Sequence, residues 1–285
     1  MELRTQSQYK VDSNGLFELL AGPPTWDIRR SNYTDESGSV NNLQGIDISL
    51  DGETLWVCSR DDEKVFEYGM DPWDITSVSE PADAEFDFSD DFPQNYDSSV
   101  AHGVQIRRTG GDYLFIFNRQ EIFGYELETP YDITSATQGD FDVLDLSANV
   151  DRGHDFDFDP DGTELFIDDR LEEDLHQYSL STAWDITTAS HTHTHDISSF
   201  GSQGWQGMEV GDGGHKLWVV ERGDDEMHQF TMSESYDLTT VKRDTAIETP
   251  HGGTLSSIVW RPDGEQFFIS EYTDHEIHEY NLGPF

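Results

Sequence analysis

Trp184-Asp185-Ile186-Thr187 decides the fold, together with its copies at Trp26-Asp27-Ile28, Trp73-Asp74-Ile75, Tyr131-Asp132-Ile133 and Tyr236-Asp237-Leu238. Successive aromatics lie 47, 58, 53 and 52 residues apart. A near-constant spacing of that size marks one supersecondary unit copied in tandem. Working outward from each copy gives a common grammar. An alternating strand comes first, as in Gly45-Ile46-Asp47-Ile48 and Gly207-Met208-Glu209-Val210. A tight turn follows at Asp51-Gly52, Gly110-Gly111, Asp161-Gly162, Gly213-Gly214 and Asp263-Gly264. Such dipeptides allow positive φ and join antiparallel neighbours. A second strand (Leu55-Trp56-Val57-Cys58 in the first copy), a charged turn and a third strand (Val65-Phe66-Glu67-Tyr68) lead to the aromatic-Asp-Ile corner. A weaker fourth strand such as Glu85-Phe86-Asp87-Phe88 ends the unit.

Four-stranded antiparallel units of this length are the blades of an all-β propeller. The first-to-third strand core occurs five times, and the fifth copy stops at Phe285 before a fourth strand. Leu16-Phe17-Glu18-Leu19-Leu20 reads as a strand running into the first corner. N- and C-terminal strands are therefore expected to share one blade, closing the ring and removing exposed sheet edges. Five blades are expected, or six if residues 1–20 supply more strands. The repeats leave no linker, so residues 1–285 read as a single propeller domain, with residues 1–14 outside the pattern as an N-terminal arm.

Acidic residues number 59 against 16 basic ones, a net charge of -43, and only Lys10, Lys64, Lys216 and Lys242 are lysines. That balance repels nucleic acid and anionic membranes. The acids are interleaved with strand hydrophobes, which argues against a disordered tail. At 1 M salt the Debye length falls to about 3 Å and self-repulsion is largely screened, so a halophilic source is expected. The lone cysteine, Cys58, permits no intrachain disulfide and reads as a core residue. No apolar run suggests a signal peptide or membrane span, and the expected place of synthesis is the cytoplasm.

Candidate sites follow from the repeat. The corner Asp can accept backbone hydrogen bonds and, recurring once per unit, reads as architecture. Arg60, Arg119, Arg170 and Arg222 follow the second strand in four copies, with Tyr272 near that position in the fifth; four of twelve arginines thus share one repeat position. They suit either an anion or sugar-acid site or inter-blade pairing with carboxylates. If first strands line the axis, equivalent positions form rings. Gln44, His102, His154, Gln206 and Ser256 would form a channel mouth. Asp47, Gln105, Asp157, Glu209 and Val259 would form the next ring, whose Asp47, Asp157 and Glu209 could hold Ca²⁺ or another hard cation. A water-filled channel is the simpler outcome. His191-Thr192-His193-Thr194-His195-Asp196 alternates like a strand, which would put three imidazoles on one face, able to bind a transition metal but more simply an exposed strand. No nucleophile elbow, phosphate loop, dinucleotide fingerprint or zincin motif is present.

Pro160-Asp161-Gly162-Thr163-Glu164-Leu165-Phe166-Ile167 and Gln177-Tyr178-Ser179-Leu180-Ser181-Thr182-Ala183-Trp184-Asp185-Ile186-Thr187-Thr188-Ala189-Ser190 resemble a tandem propeller repeat familiar from predicted proteins of marine phages, archaeal viruses and their hosts. The resemblance covers almost the whole chain, best in the third copy, and carries no catalytic residues. It implies a propeller and a place on a virion surface or tail. The expectation is therefore a non-enzymatic structural or host-recognition protein of a virus of a halophilic archaeon. It would decorate the capsid or form a spike or tail, and would reach the virion surface after cytoplasmic synthesis. Its expected partners are other virion proteins, copies of itself, and a host glycan or surface protein met through loop aromatics such as Trp205 and Tyr96. Two alternatives stand beside it: a cation-dependent propeller hydrolase or lactonase, and a cytoplasmic interaction scaffold of a halophile.

Overall fold

The computed structural model describes residues 40, 42–79, 81–92, 100–201, 204–223, 225–249, 253–273 and 275–281 in full, and the backbone of three earlier strands, Tyr9–Val11, Phe17–Leu19 and Asn32–Thr34. Five four-stranded antiparallel sheets form the blades of a β-propeller. The first blade is built from Leu43–Ile48, Thr54–Ser59, Lys64–Gly69 and Ala84–Asp87, and the second from Gly103–Ile106, Tyr113–Phe117, Glu121–Glu126 and Asp142–Asp145. The third uses Gly153–Phe158, Glu164–Asp169, Asp174–Leu180 and Ala189–Asp196. The fourth uses Trp205–Gly211, Lys216–Glu221, Glu226–Met232 and Val241–Glu248. Leu255–Trp260, Gln266–Glu271 and Glu276–Asn281 make three strands of the fifth, and Asn32–Thr34 supplies the fourth. First strands of successive blades neighbour one another around a closed circle, and apolar clusters fill the space between blades.

The ring thus closes with an N-terminal strand, but not the one nearest to hand in the sequence. Phe17–Leu19, inside the stretch read as Leu16–Leu20, pairs with Tyr9–Val11 in a separate two-stranded ribbon. Asn32–Thr34 lies just after the Trp26-Asp27-Ile28 corner, where the grammar of the repeat puts every fourth strand; the corner itself lies outside the described residues.

The repeated corner and the repeated glycine turn are one device. Trp73, Tyr131, Trp184 and Tyr236 adopt left-handed backbone (φ 59°, 63°, 65° and 55°), and their amides donate to the carbonyls of Gly52, Gly111, Gly162 and Gly214. Each ring then lies where a Cβ on that glycine would sit. The next residue, Asp74, Asp132, Asp185 or Asp237, caps a short 3-10 turn by accepting from the Thr amide two residues on, at 2.9–3.1 Å. The Ile or Leu between them is buried. Glu279 and Gln177 on third strands reach across to two of these corners: Ile75 N donates to Glu279 Oε2 (3.4 Å) and Leu238 N to Gln177 Oε1 (2.8 Å).

Candidate functional site

Four of the five inner strands carry a register shift between their first and middle residues, at Leu43/Ile46, Gly153/Phe156, Trp205/Gly207 and Leu255/Ser257. A bulge re-aims the side chain beside it, and Gln44, His154, Gln206 and Ser256 sit at these bulges. With His102 they form the expected ring, all five buried. Gly45 and Gly207 are needed here, since a Cβ on either would overlap the backbone of the adjacent inner strand. Gln44 Oε1 accepts from Ser256 Oγ (2.9 Å) and from His102 Nδ1 (3.2 Å). His102 Nδ1 therefore carries the proton, and its Nε2 accepts from Arg119 Nε at 2.9 Å. The His102 and His154 rings lie 4.2 Å apart.

The repeated arginines surround this mouth. Arg170 Nη1 is 3.4 Å from His154 Nε2. Gln206, with its amide oriented to satisfy both neighbours, accepts from Arg170 Nη1 at 3.2 Å and donates to the Leu255 carbonyl. Arg222 lies over the Tyr272 ring, 6.0 Å from its centroid, so the fifth copy's tyrosine replaces the missing arginine as a neighbour. Arg60 is 3.8 Å from Asp61. A guanidinium only donates, which makes His154 Nε2 the acceptor and leaves the proton on Nδ1; that buried nitrogen has no hydrogen-bond partner. Burial, then His154 and Arg119, push the His102 pKa well below its ordinary value. Burial, then Arg170 and Arg119, do the same to His154. Burial, followed by the like charges of Arg222 and Arg152, lowers Arg170. A chain of net charge -43 therefore gathers positive charge around two neutral imidazoles at one end of its axis.

The second ring is also assembled, and its carboxylates bond to backbone amides and to an arginine. Asp47 Oδ2 accepts from Ile106 N (2.8 Å), Gln105 Oε1 from Phe158 N (3.3 Å), Asp157 Oδ2 from Val210 N (2.8 Å), and Glu209 Oε2 from Trp260 N. Each side chain thus ties its blade to the next one's inner strand. Val259 cannot continue the series, and Ile48 N is satisfied by Asp47 Oδ1 instead (2.9 Å). The positive charge among these carboxylates belongs to Arg108, whose Nη2 is 2.8 Å from Glu209 Oε1 and 3.8 Å from Asp157 Oδ1. Burial disfavours the Arg108 charge, but Glu209, Asp157 and Asp47 outweigh it and raise its pKa. Burial lifts Asp47 to about 6 and Glu209 to about 8. Among the described residues, no group of three His, Cys, Asp or Glu side chains is arranged to hold a metal ion. A cavity of about 10 Å³ lies beside this ring, room for roughly one water.

Other expectations divide. The histidine strand is split by a register shift at Gln177/Tyr178. His193 and His195 pair with Gln177 and Leu175, while His191 pairs with Tyr178 and shares a face with His176. The three imidazoles therefore do not share one face. Trp205 is fully buried against His228 and offers no surface contact; Tyr96 lies outside the described residues. Cys58 is buried in the core, and burial pushes its thiol up. Sequence reasoning missed Arg108, Arg152 and the buried pair Asp155 and Asp168. Arg108 has a signal: equivalent positions in the other blades hold Leu50, Pro160, Asp212 and Pro262, so it breaks the repeat where the inner strand ends.

No protein-family model and no curated protein sequence matches the chain. Solved structures do. The periplasmic gluconolactonase of Pseudomonas aeruginosa aligns at 16% identity over 86% of this chain and 71% of its own, with a TM-score of 0.50. The Cps50 (Swd1) propeller domain of Myceliophteria thermophila aligns at 11% identity over 85% and 97%, also at 0.50. A protein assigned as a 6-phosphogluconolactonase from Bacteroides uniformis aligns at 14% identity over 83% of this chain, with a TM-score of 0.49. The chain spans 65% of that protein's length. At these identities the likeness establishes the fold. It also corrects the expectation of a non-enzymatic virion protein, because a solved propeller of this fold is named a gluconolactonase. The reading of a non-enzymatic virion protein gives way to the hydrolase alternative.

Proposed function

We propose that this protein is a hydrolase that opens cyclic esters carrying a negative charge, and that the reaction takes place at the arginine-ringed mouth of the propeller axis. The observation that carries this is the buried His154, whose Nδ1 lacks a partner among the described groups and sits within a cluster of guanidiniums. Arg170, Arg222 and Arg152 would hold the substrate's carboxylate or phosphate, for which a planar fork is suited. The His154 Nδ1–H would donate to the ester carbonyl as its oxygen becomes negative, and nearby positive charge stabilises that oxyanion further. Water adds to the carbonyl carbon and the ring C–O bond breaks, the ring oxygen leaving with one of the water's protons and the new carboxylic acid releasing the other to solvent, so orientation and electrostatics are the contributions required of the protein. The propeller it shares with a gluconolactonase supports the reading at the level of scaffold. Arg108 already lies among Asp47, Asp157 and Glu209, and no step runs through a cation there.

The test is continuous titration of acid release from gluconolactone and 6-phosphogluconolactone, corrected for spontaneous opening. Wild-type protein should accelerate opening, with the charged lactone preferred. His154→Gln should lower kcat by about a hundredfold, the scale of losing one oxyanion donor. Arg170→Gln should act mainly on KM for the charged substrate. No acceleration of either lactone would overturn the proposal.

A further inference from the structure

The half of blade 3 remote from the axis carries a second arrangement that the proposed activity leaves unused. His176 on the third strand is buried, and the fourth strand beside it brings His191 and Thr194 to the same face. The register shift does this: with the strand regular, His191 and Thr194, three positions apart, would point to opposite faces. Here Thr192 is the extra residue, its hydroxyl donating to the Gln177 carbonyl (3.0 Å).

Three donor atoms consequently form a nearly equilateral triangle. His176 Nδ1 is 3.4 Å from His191 Nε2, His191 Nε2 is 3.1 Å from Thr194 Oγ1, and Thr194 Oγ1 is 3.1 Å from His176 Nδ1. The nitrogen–nitrogen separation of 3.4 Å lies at the long end of hydrogen bonding. It is the span of two ligands of one ion: with metal–nitrogen bonds of about 2.0–2.1 Å, neighbouring donors of a tetrahedral site lie about 3.3–3.4 Å apart. We propose that His176, His191 and Thr194 form a binding site for a borderline transition-metal dication such as Zn²⁺ or Ni²⁺, completed by solvent at the open side.

The surroundings favour this. A metal ion takes imidazole in its neutral form, and each ring turns one nitrogen into the triangle. Asp169 acts on His176 with its negative charge while its own oxygens accept from the amides of Asp151, Arg152, Leu171 and Glu172. Thr194 is exposed, which leaves a route for the ion and for water. His176 Nε2 is buried with no hydrogen-bond partner. Ligating imidazoles normally have one, and its lack weakens a site, so micromolar rather than tighter affinity is expected. Hard cations prefer all-oxygen sites, which separates this site from the acidic surface.

Isothermal titration of chelator-treated protein with Ni²⁺ and with Zn²⁺, in excess Mg²⁺, tests the proposal. One saturable equivalent is expected. His191→Gln, a half-exposed position chosen so that folding survives and checked by circular dichroism, should weaken binding by at least about tenfold, or 1.4 kcal/mol. A His193→Gln/His195→Gln double variant should bind like wild type. Equal binding by His191→Gln and wild type, loss of binding in the double variant, or no saturable equivalent would each overturn it.

Discussion

A guanidinium at position 108 is what allows three inward carboxylates to share one small space. In the folded chain Asp47 is lifted to about 6 and Glu209 to about 8, both first by burial. The folded state thus keeps protons that the unfolded chain has released. The stability these groups contribute is full below about pH 4 and is lost as pH rises through 6 and then 8. Arg108→Met removes the opposing charge, so its cost should be about 3–5 kcal/mol at pH 8 and smaller at pH 5, where the carboxyls take up protons. Urea denaturation at both pH values and fixed salt measures this; an equal cost at both would contradict it. Gly162 gives a second residue-scale test. Its φ is 71° and a Cβ would overlap the Trp184 ring, whereas Gly139, at φ 80°, has nothing nearby. Gly139→Ala should cost about 1 kcal/mol for backbone alone. Gly162→Ala should cost clearly more, read as a lower urea midpoint at unchanged slope.

Among the elements, the short strand Asn32–Thr34 has an effect out of proportion to its length. It pairs only with Glu276–His278, yet it completes the fifth blade. A chain beginning at residue 36 should leave the Glu276–Asn281 strand as an open edge, which templates association. Size-exclusion chromatography should show larger species and scanning calorimetry a lower transition; a monomer of unchanged Tm would count against this role. The elements also show what was legible in advance. Period, corner and glycine turn are readable because each is a local pattern repeated, and repetition alone puts His102, His154 and Gln206 on one ring. The histidine strand was misread because a one-residue bulge at Thr192 leaves no mark in an alternating sequence. Arg108 was missed for the opposite reason: it occurs once, and a search by repeats discards what occurs once. The choice of Asn32–Thr34 over Phe17–Leu19 needed the corner rather than hydrophobicity, since Asn32-Tyr33-Thr34 is the less apolar of the two.

For the molecule as a whole, charge is the governing quantity. A compact body at -43 repels itself, and salt screens that repulsion with a Debye length falling from about 10 Å at 0.1 M to about 3 Å at 1 M. We therefore propose that the protein is matched to concentrated salt. Its Tm should rise by several degrees between those concentrations of KCl; a flat or falling Tm would refute this. The seam in the fifth blade has a further consequence for synthesis. Its outer strand precedes the other four blades along the chain and its three remaining strands follow them, so four blades can settle while the fifth waits for its own parts to meet. A permuted gene that starts between blades 1 and 2 and joins residue 285 to residue 1 would place all four strands of the fifth blade in one stretch of chain, and refolding of such a chain should lose its slowest phase.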